Sequence, residues 1–171
     1  MITMNRVRRA KAEDVQGLVE CQAQVLESLR GMLPARFIEA ELDWLRAPDR
    51  EDDIVEAIEA GSMIALVAEE AGSIVGFAQG KVDRGGTSWL AYLGVAPAFR
   101  RRSVARELVE GFIAESRARG ARRVNLYAAQ ELEPAIRLYA DMGFGTDGRI
   151  RRSRHGVDLR VYSKTLDHDA A

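Results

Sequence analysis

The sequence has one cysteine, Cys21, so no disulfide can form within the chain and a reducing compartment is the natural reading. It has two histidines, His155 and His168, too few for a histidine-rich metal site, and no metal is expected. Lysine is scarce, with Lys11, Lys81 and Lys164 alone, and the positive charge is nearly all arginine. No apolar run approaches the roughly 18 residues that span a bilayer, and residues 1–9 lack the apolar centre of a signal peptide. There is also no excess of charge of either sign. Lys plus Arg number 25 against 26 Asp plus Glu, and a formal charge of -1 argues against wholesale nucleic-acid binding. No repeat, linker or low-complexity stretch interrupts the chain. These absences leave a cytoplasmic protein, without membrane or nucleic-acid partners, that builds its own core.

What is present suits one domain. Of the 171 residues, 47% are hydrophobic. We place the domain at residues 1–166, with a short polar tail at 167–171. Residues 1–9 read as a first strand. Val15, Leu18, Val19, Gln22, Val25, Leu26 and Leu29 then recur at helical spacing behind Asp14. Pro34 opens a second helix, and a third, acidic one passes through Ile54, Val55 and Ile58. Strand patterns follow at 62–70, 73–82 and 88–95, with Ala71-Gly72 and Gly85-Gly86 as turns. The last of the three is almost continuously apolar, which suits a strand inside a sheet. A long helix carries Val104, Ala105, Leu108, Val109, Phe112 and Ile113. A strand at 123–129, a helix at 134–142 and two strands near 144–152 and 157–164 complete an α+β pattern.

Chemistry concentrates between Leu93 and Leu108. A strand ends at Val95, and Pro97 cannot continue it within a sheet. A basic loop, Arg100-Arg101-Arg102, then feeds the long helix. A helix N-terminus presents unpaired N–H groups and a partial positive charge, which together suit an anion such as phosphate. The same pattern also describes a solvated basic loop, so local physics leaves both readings open.

Val95-x-Pro97-x-x-Arg100-x-x-Ser103-x-Ala105-x-x-Leu108 resembles the acetyl-CoA motif of the GNAT superfamily of N-acetyltransferases. Pro134 to Phe144, with Tyr139 followed after three residues by Gly143-Phe144, is similar to that family's penultimate helix. The order of elements extends the resemblance over about 2–166. It implies a mixed, mostly antiparallel seven-stranded sheet flanked by helices, with a V-shaped split between the fourth and fifth strands. Acetyl-CoA would be the acyl donor. Its pantetheine arm would follow the backbone of Leu93, Gly94 and Val95, and its diphosphate would lie on the N–H groups of Arg101, Arg102, Ser103, Val104, Ala105 and Arg106. Arg100 occupies the motif's Gln-or-Arg position, and Arg100 to Arg102 add charge at the rim. The resemblance implies Tyr139 as the acid that protonates the departing sulfur, and the N–H of Val95 as the group that polarises the thioester carbonyl.

Two positions depart from the pattern. Ser103 replaces a glycine, keeping an amide donor and offering a helix-capping side chain. Leu132 stands where the family often has asparagine, leaving Gln130 or Glu131 to supply that contact. Ser88 to Leu93 holds no carboxylate, so a general base would come from Glu69, Glu70 or Asp83 through water, or from a water chain alone. The acceptor side carries conflicting charge. Glu39, Glu41, Asp43, Asp49, Glu51, Asp52 and Asp53 favour a cation, and Arg149, Arg151, Arg152, Arg154 and Arg160 favour a carboxylate. Small amines, amino acids, antibiotics and peptide amino-termini all fit. The expected function is acetyl transfer to a primary amine within a ternary complex, with a homodimer left open. The alternatives are a non-catalytic acyl-CoA-binding regulatory domain and a nucleic-acid module built on the arginines.

Overall fold

The computed structural model describes residues 6–166. The tail at 167–171, with His168, and the start of the expected first strand lie outside them. The order is β1 (Val7–Arg9), α1 (Val15–Ser28), α2 (Ala35–Leu45), α3 (Arg50–Glu59), β2 (Ile64–Glu70), β3 (Ser73–Val82), β4 (Thr87–Val95), α4 (Val104–Ala118), β5 (Arg123–Ala129), α5 (Glu133–Asp141), β6 (Gly145–Ile150) and β7 (Leu159–Thr165). Single turns of 3-10 helix at Ala12–Asp14, Pro97–Phe99 and Arg154–Gly156 link these elements.

The strands form one seven-stranded sheet in the order β1-β2-β3-β4-β5-β7-β6. Only β4 and β5 pair in parallel, and the other neighbours are antiparallel. The connection that makes them parallel is α4. Its buried face, Val104, Leu108, Val109, Phe112 and Ile113, is the apolar stripe of the sequence, extended by Ser116. That stripe packs on Leu66, Ala68, Val75, Ala78 and Leu90 in the largest core cluster. The opposite face of β2 and β3 is covered by α1 through Leu18 and Cys21. The N-terminal part of α2 seals the far end of β5 and β7, where Ile38 and Leu42 meet Ala129 and Leu159.

The parallel pairing is short. It runs from Thr87↔Arg123 to Leu90↔Leu126 and then stops. Beyond it, β4 stays with β3 as far as Gly76↔Val95, while β5 stays with β7 as far as Ala129↔Leu159. The sheet therefore opens into a V between the fourth and fifth strands. A bulge at the opening assists: Gln79 pairs with Tyr92 but Gly80 with Leu90, leaving Ala91 as the extra residue. Because of the opening, β4 is less buried than a central apolar strand should be. Ala91 is exposed, and Tyr92 to Gly94 are half-buried.

Candidate active site

The end of β4 forms one wall of the V. Ala96 N–H donates to Val75 O at 2.8 Å, so on β4 the positions bonded to β3 are Ala96, Gly94 and Tyr92. Antiparallel pairing alternates, and the backbone groups of Leu93 and Val95 therefore point away from β3, into the split. Gly94, between them, is spent on Phe77. It is glycine for a steric reason: a Cβ there would lie 2.5 Å from the Phe77 ring. Two of the three expected pantetheine contacts thus face the split, and the third holds the strand in place.

Past Val95 the chain makes its 3-10 turn and enters the basic loop. Arg101 and Ser103 both adopt left-handed backbone conformations, with φ of 62° and 63°. Such angles are costly for residues with a Cβ, and they concentrate where function holds them. Ser103 is the N-cap of α4, but its side chain makes no capping hydrogen bond. The cap expected from serine is absent because the left-handed turn carries its hydroxyl elsewhere. Helical bonding begins with Glu107 N–H donating to Ser103 O at 3.0 Å. The six preceding N–H groups, Arg101 to Arg106, have no backbone acceptor among the described residues. Two left-handed residues followed by a helix start leave a cluster of free donors suited to an anion.

The three loop arginines have different tasks. Arg100 bonds Val95 O through Nε at 3.0 Å and Ser28 Oγ through Nη2 at 2.8 Å, tying the turn to β4 and α1. Arg102 lies over the Phe99 ring and 3.7 Å from Glu70. Arg101 is exposed. Ala105 packs against the core beside the buried Val104, and Arg106 is half-buried on the first turn of α4.

Tyr139 sits on α5 at 5% exposure, in the main core, with its ring centroid 5.9 Å from Phe144 and 6.1 Å from Tyr162. Burial, reinforced by Tyr162, pushes its phenol above the ordinary tyrosine range, so the group keeps its proton. Its hydroxyl makes no hydrogen bond among the described residues. Leu132, at the N-cap of α5, packs against the apolar cluster of Leu33, Ile38 and Leu42. Leucine there anchors the helix; Gln130 and Glu131 beside it are exposed.

The three candidate bases are committed elsewhere. Glu69 is paired with Arg8 at 2.7 Å, and Glu70 with Arg6 at 3.0 Å. Asp83 caps the β3–β4 turn, accepting from Gly85 and Thr87 N–H at 2.8 and 3.0 Å. The Thr87 N–H bond and its neighbours hold that carboxyl below the usual range.

The carboxylate that composition had filed as surface charge is Glu41. It is 7% exposed, facing Arg154 Nε at 3.3 Å and His155 Nε2 at 3.6 Å. Arg154 donates to Tyr92 Oη at 2.8 Å and lies over that ring. Tyr92 also stacks on Trp44 at 5.6 Å, and Arg50 covers Trp44 at 4.0 Å. Two stacked rings thus lie between two arginines, in a row that runs from α3 through α2 and β4 to the β6–β7 connection. Part of the conflict of charge in the sequence is resolved by pairing: Glu41 faces Arg154, Glu39 pairs with Arg30, and Arg149 with Asp158. Trp89 and Tyr92 are three residues apart and share a face of β4 only through the Ala91 bulge, so strand periodicity does not reveal the pair. At the vertex of the V, Trp89 stacks on Tyr127 across β4 and β5 at 5.1 Å.

The sequence model of the acetyltransferase (GNAT) family matches residues 26–144, which contain both the split and the α4 turn. The chain belongs to the GNAT family. An acetyltransferase of Pectobacterium atrosepticum is 31% identical over 114 residues, covering 67% of this chain and 80% of that protein. One of Yersinia enterocolitica is 32% identical over 102 residues, covering 60% and 72%. Among solved structures, an N-acetyltransferase of Staphylococcus aureus superposes with a TM-score of 0.79 at 20% identity, over 94% of this chain and 98% of that one. The PaiA N-acetyltransferase of Thermoplasma acidophilum, solved with coenzyme A, gives 0.77 at 16% identity over the same shares. YncA of Salmonella typhimurium, solved with acetyl-CoA, gives 0.71 at 22% identity over 96% and 95%. These structures share the fold of this chain. Among the described residues no group of side chains could hold a metal ion, and no helix is long and apolar enough to cross a membrane.

Proposed function

We propose that this GNAT protein is a cytoplasmic N-acetyltransferase that moves the acetyl group of acetyl-CoA to a primary amine by direct attack in a ternary complex. The observation that carries this reading is the parting of β4 from β5 after Leu90, beside a helix start whose six leading N–H groups lack backbone acceptors. Relatives of the same fold solved with coenzyme A and acetyl-CoA support it. The diphosphate takes the N–H groups of Arg101 to Arg106, with Arg101 and Arg102 screening its charge. The pantetheine amides bond to the outward-facing backbone of Leu93, as an added strand would, which leaves the Val95 N–H for the thioester while Arg100 holds the Val95 carbonyl.

The neutral amine attacks the thioester carbonyl while the N–H of Val95 stabilises the oxygen. A C–N bond forms, the C–S bond breaks, and the amine's extra proton passes to water. Tyr139 donates to the leaving sulfur. Burial keeps the phenol protonated but makes it a reluctant acid, so its main contribution is a hydrogen bond as the sulfur gains charge, with solvent completing the transfer. With Glu69, Glu70 and Asp83 engaged elsewhere, deprotonation of the amine falls to water. The acceptor enters from the side of Trp44, Tyr92 and Arg154.

Incubation with acetyl-CoA across a panel of small amines, amino acids and peptides tests the reading. Free thiol and N-acetyl product should appear together. Tight coenzyme A binding with no thiol release from any member would favour the regulatory alternative instead.

A further inference from the structure

Arg6 lies at the edge of β1, outside both family motifs, yet its guanidinium ends at the α4 turn. Nε and Nη2 grip Glu107 at 2.8 and 2.7 Å, Nη1 reaches Glu70 at 3.0 Å, and Nη2 also donates to the carbonyl of Arg102 at 2.6 Å. We infer that Arg6 is a positioning residue for the cofactor site, holding the peptide between Arg102 and Ser103 so that the Ser103 N–H faces the diphosphate. The inference rests on the acetyl-CoA reading above.

Two physical arguments support it. In a trans peptide the C=O and the following N–H point in opposite directions. Fixing Arg102 O on the β1 side therefore aims Ser103 N–H to the other side. This matters here because Ser103 and Arg101 are held left-handed without glycine's freedom, and an unbraced turn would relax toward cheaper angles. The second argument is electrostatic. Glu107, in the first turn of α4, favours the helix but opposes a bound diphosphate. A bidentate arginine takes up that charge in a fixed geometry, which a lysine cannot reproduce. The ion pair is partly exposed, with the Arg6 side chain at 23% and Glu107 at 33%, so its role is better read from cofactor affinity than from fold stability.

The test compares wild type with Arg6→Met, Arg6→Lys, Arg6→Met/Ser103→Gly and the control Arg9→Met, which removes the Arg9–Glu115 pair remote from the turn. Coenzyme A affinity is measured by calorimetry, and KM is measured for acetyl-CoA and for acetylpantetheine, which lacks the diphosphate. The ligand-free melting temperature verifies folding. Arg6→Met and Arg6→Lys should each weaken coenzyme A binding about tenfold, with kcat and the acetylpantetheine KM nearly unchanged. Arg9→Met should change neither. Glycine at 103 should restore part of the loss, since it adopts the turn unaided. Wild-type binding with unchanged affinity in Arg6→Met, or equal losses for both donors, would overturn the role of Arg6 alone. Failure of wild type to bind coenzyme A would overturn the underlying reading. If Arg6→Met does not fold, Arg6→Lys carries the same comparison.

Discussion

Tyr139 joins two requirements in one side chain. Its ring fills the core between Phe144 and Tyr162, and its hydroxyl is the donor assigned to the sulfur. Tyr139→Phe keeps the ring and removes the donor, so kcat should fall about 10- to 100-fold while coenzyme A affinity stays within about twofold. Unchanged kcat would remove the assigned role. The same substitution has a pH signature. Burial raises the native phenol's pKa above that of the unfolded chain, so the native state holds the proton more tightly. The resulting stability is full below about pH 10 and is lost as pH climbs above that value. Melting curves at rising alkaline pH should fall more steeply for wild type than for Tyr139→Phe. Parallel curves would show that the phenol is not desolvated. The sequence could point to Tyr139 because a motif fixes its place on the helix. It could not show the depth of its burial, which depends on Tyr162 arriving from β7.

At the scale of elements, the bulge in β4 decides how the split opens. Gly80 faces it, and a Cβ at that position would lie 1.9 Å from the Trp89 carbonyl and 2.7 Å from the Phe112 ring. Gly80→Ala must displace β4 or α4, and it should cost about 3 kcal/mol in chemical denaturation. Cofactor affinity should fall with it, because Leu93 and Val95 are aimed by the register beyond the bulge. An affinity retained at full stability would mean that the register is not set there. Periodicity located β3 at 73–82 and β5 at 123–129, matching the observed bounds, because alternation and turn residues are local signals. The Ala91 bulge was not legible, since it is a mismatch between two strands. The row from Arg50 to Glu41 escaped for a similar reason. Its members come from α2, α3, β4 and the β6–β7 connection, and residue types alone made Glu41 one surface acid among seven.

For the whole molecule, topology supplies the site and side chains adjust it. A crossover helix makes β4 and β5 parallel neighbours, their divergence leaves backbone donors unpaired, and the same helix brings its N-terminus to that gap. The resemblance predicted this arrangement, and the sheet order and the end of pairing at Leu90 and Leu126 bear it out. Two concave regions elsewhere, of about 180 and 510 Å³, are lined by residues of neither the split nor the α4 turn. On the proposed reading the split is an open cleft that the acyl donor would complete, with donor and acceptor bound together. Initial rates measured while acetyl-CoA and an accepted amine are both varied test that reading most directly. The account predicts intersecting double-reciprocal lines, the mark of a ternary complex. Parallel lines, with acetylated protein isolated in the absence of amine, would contradict it.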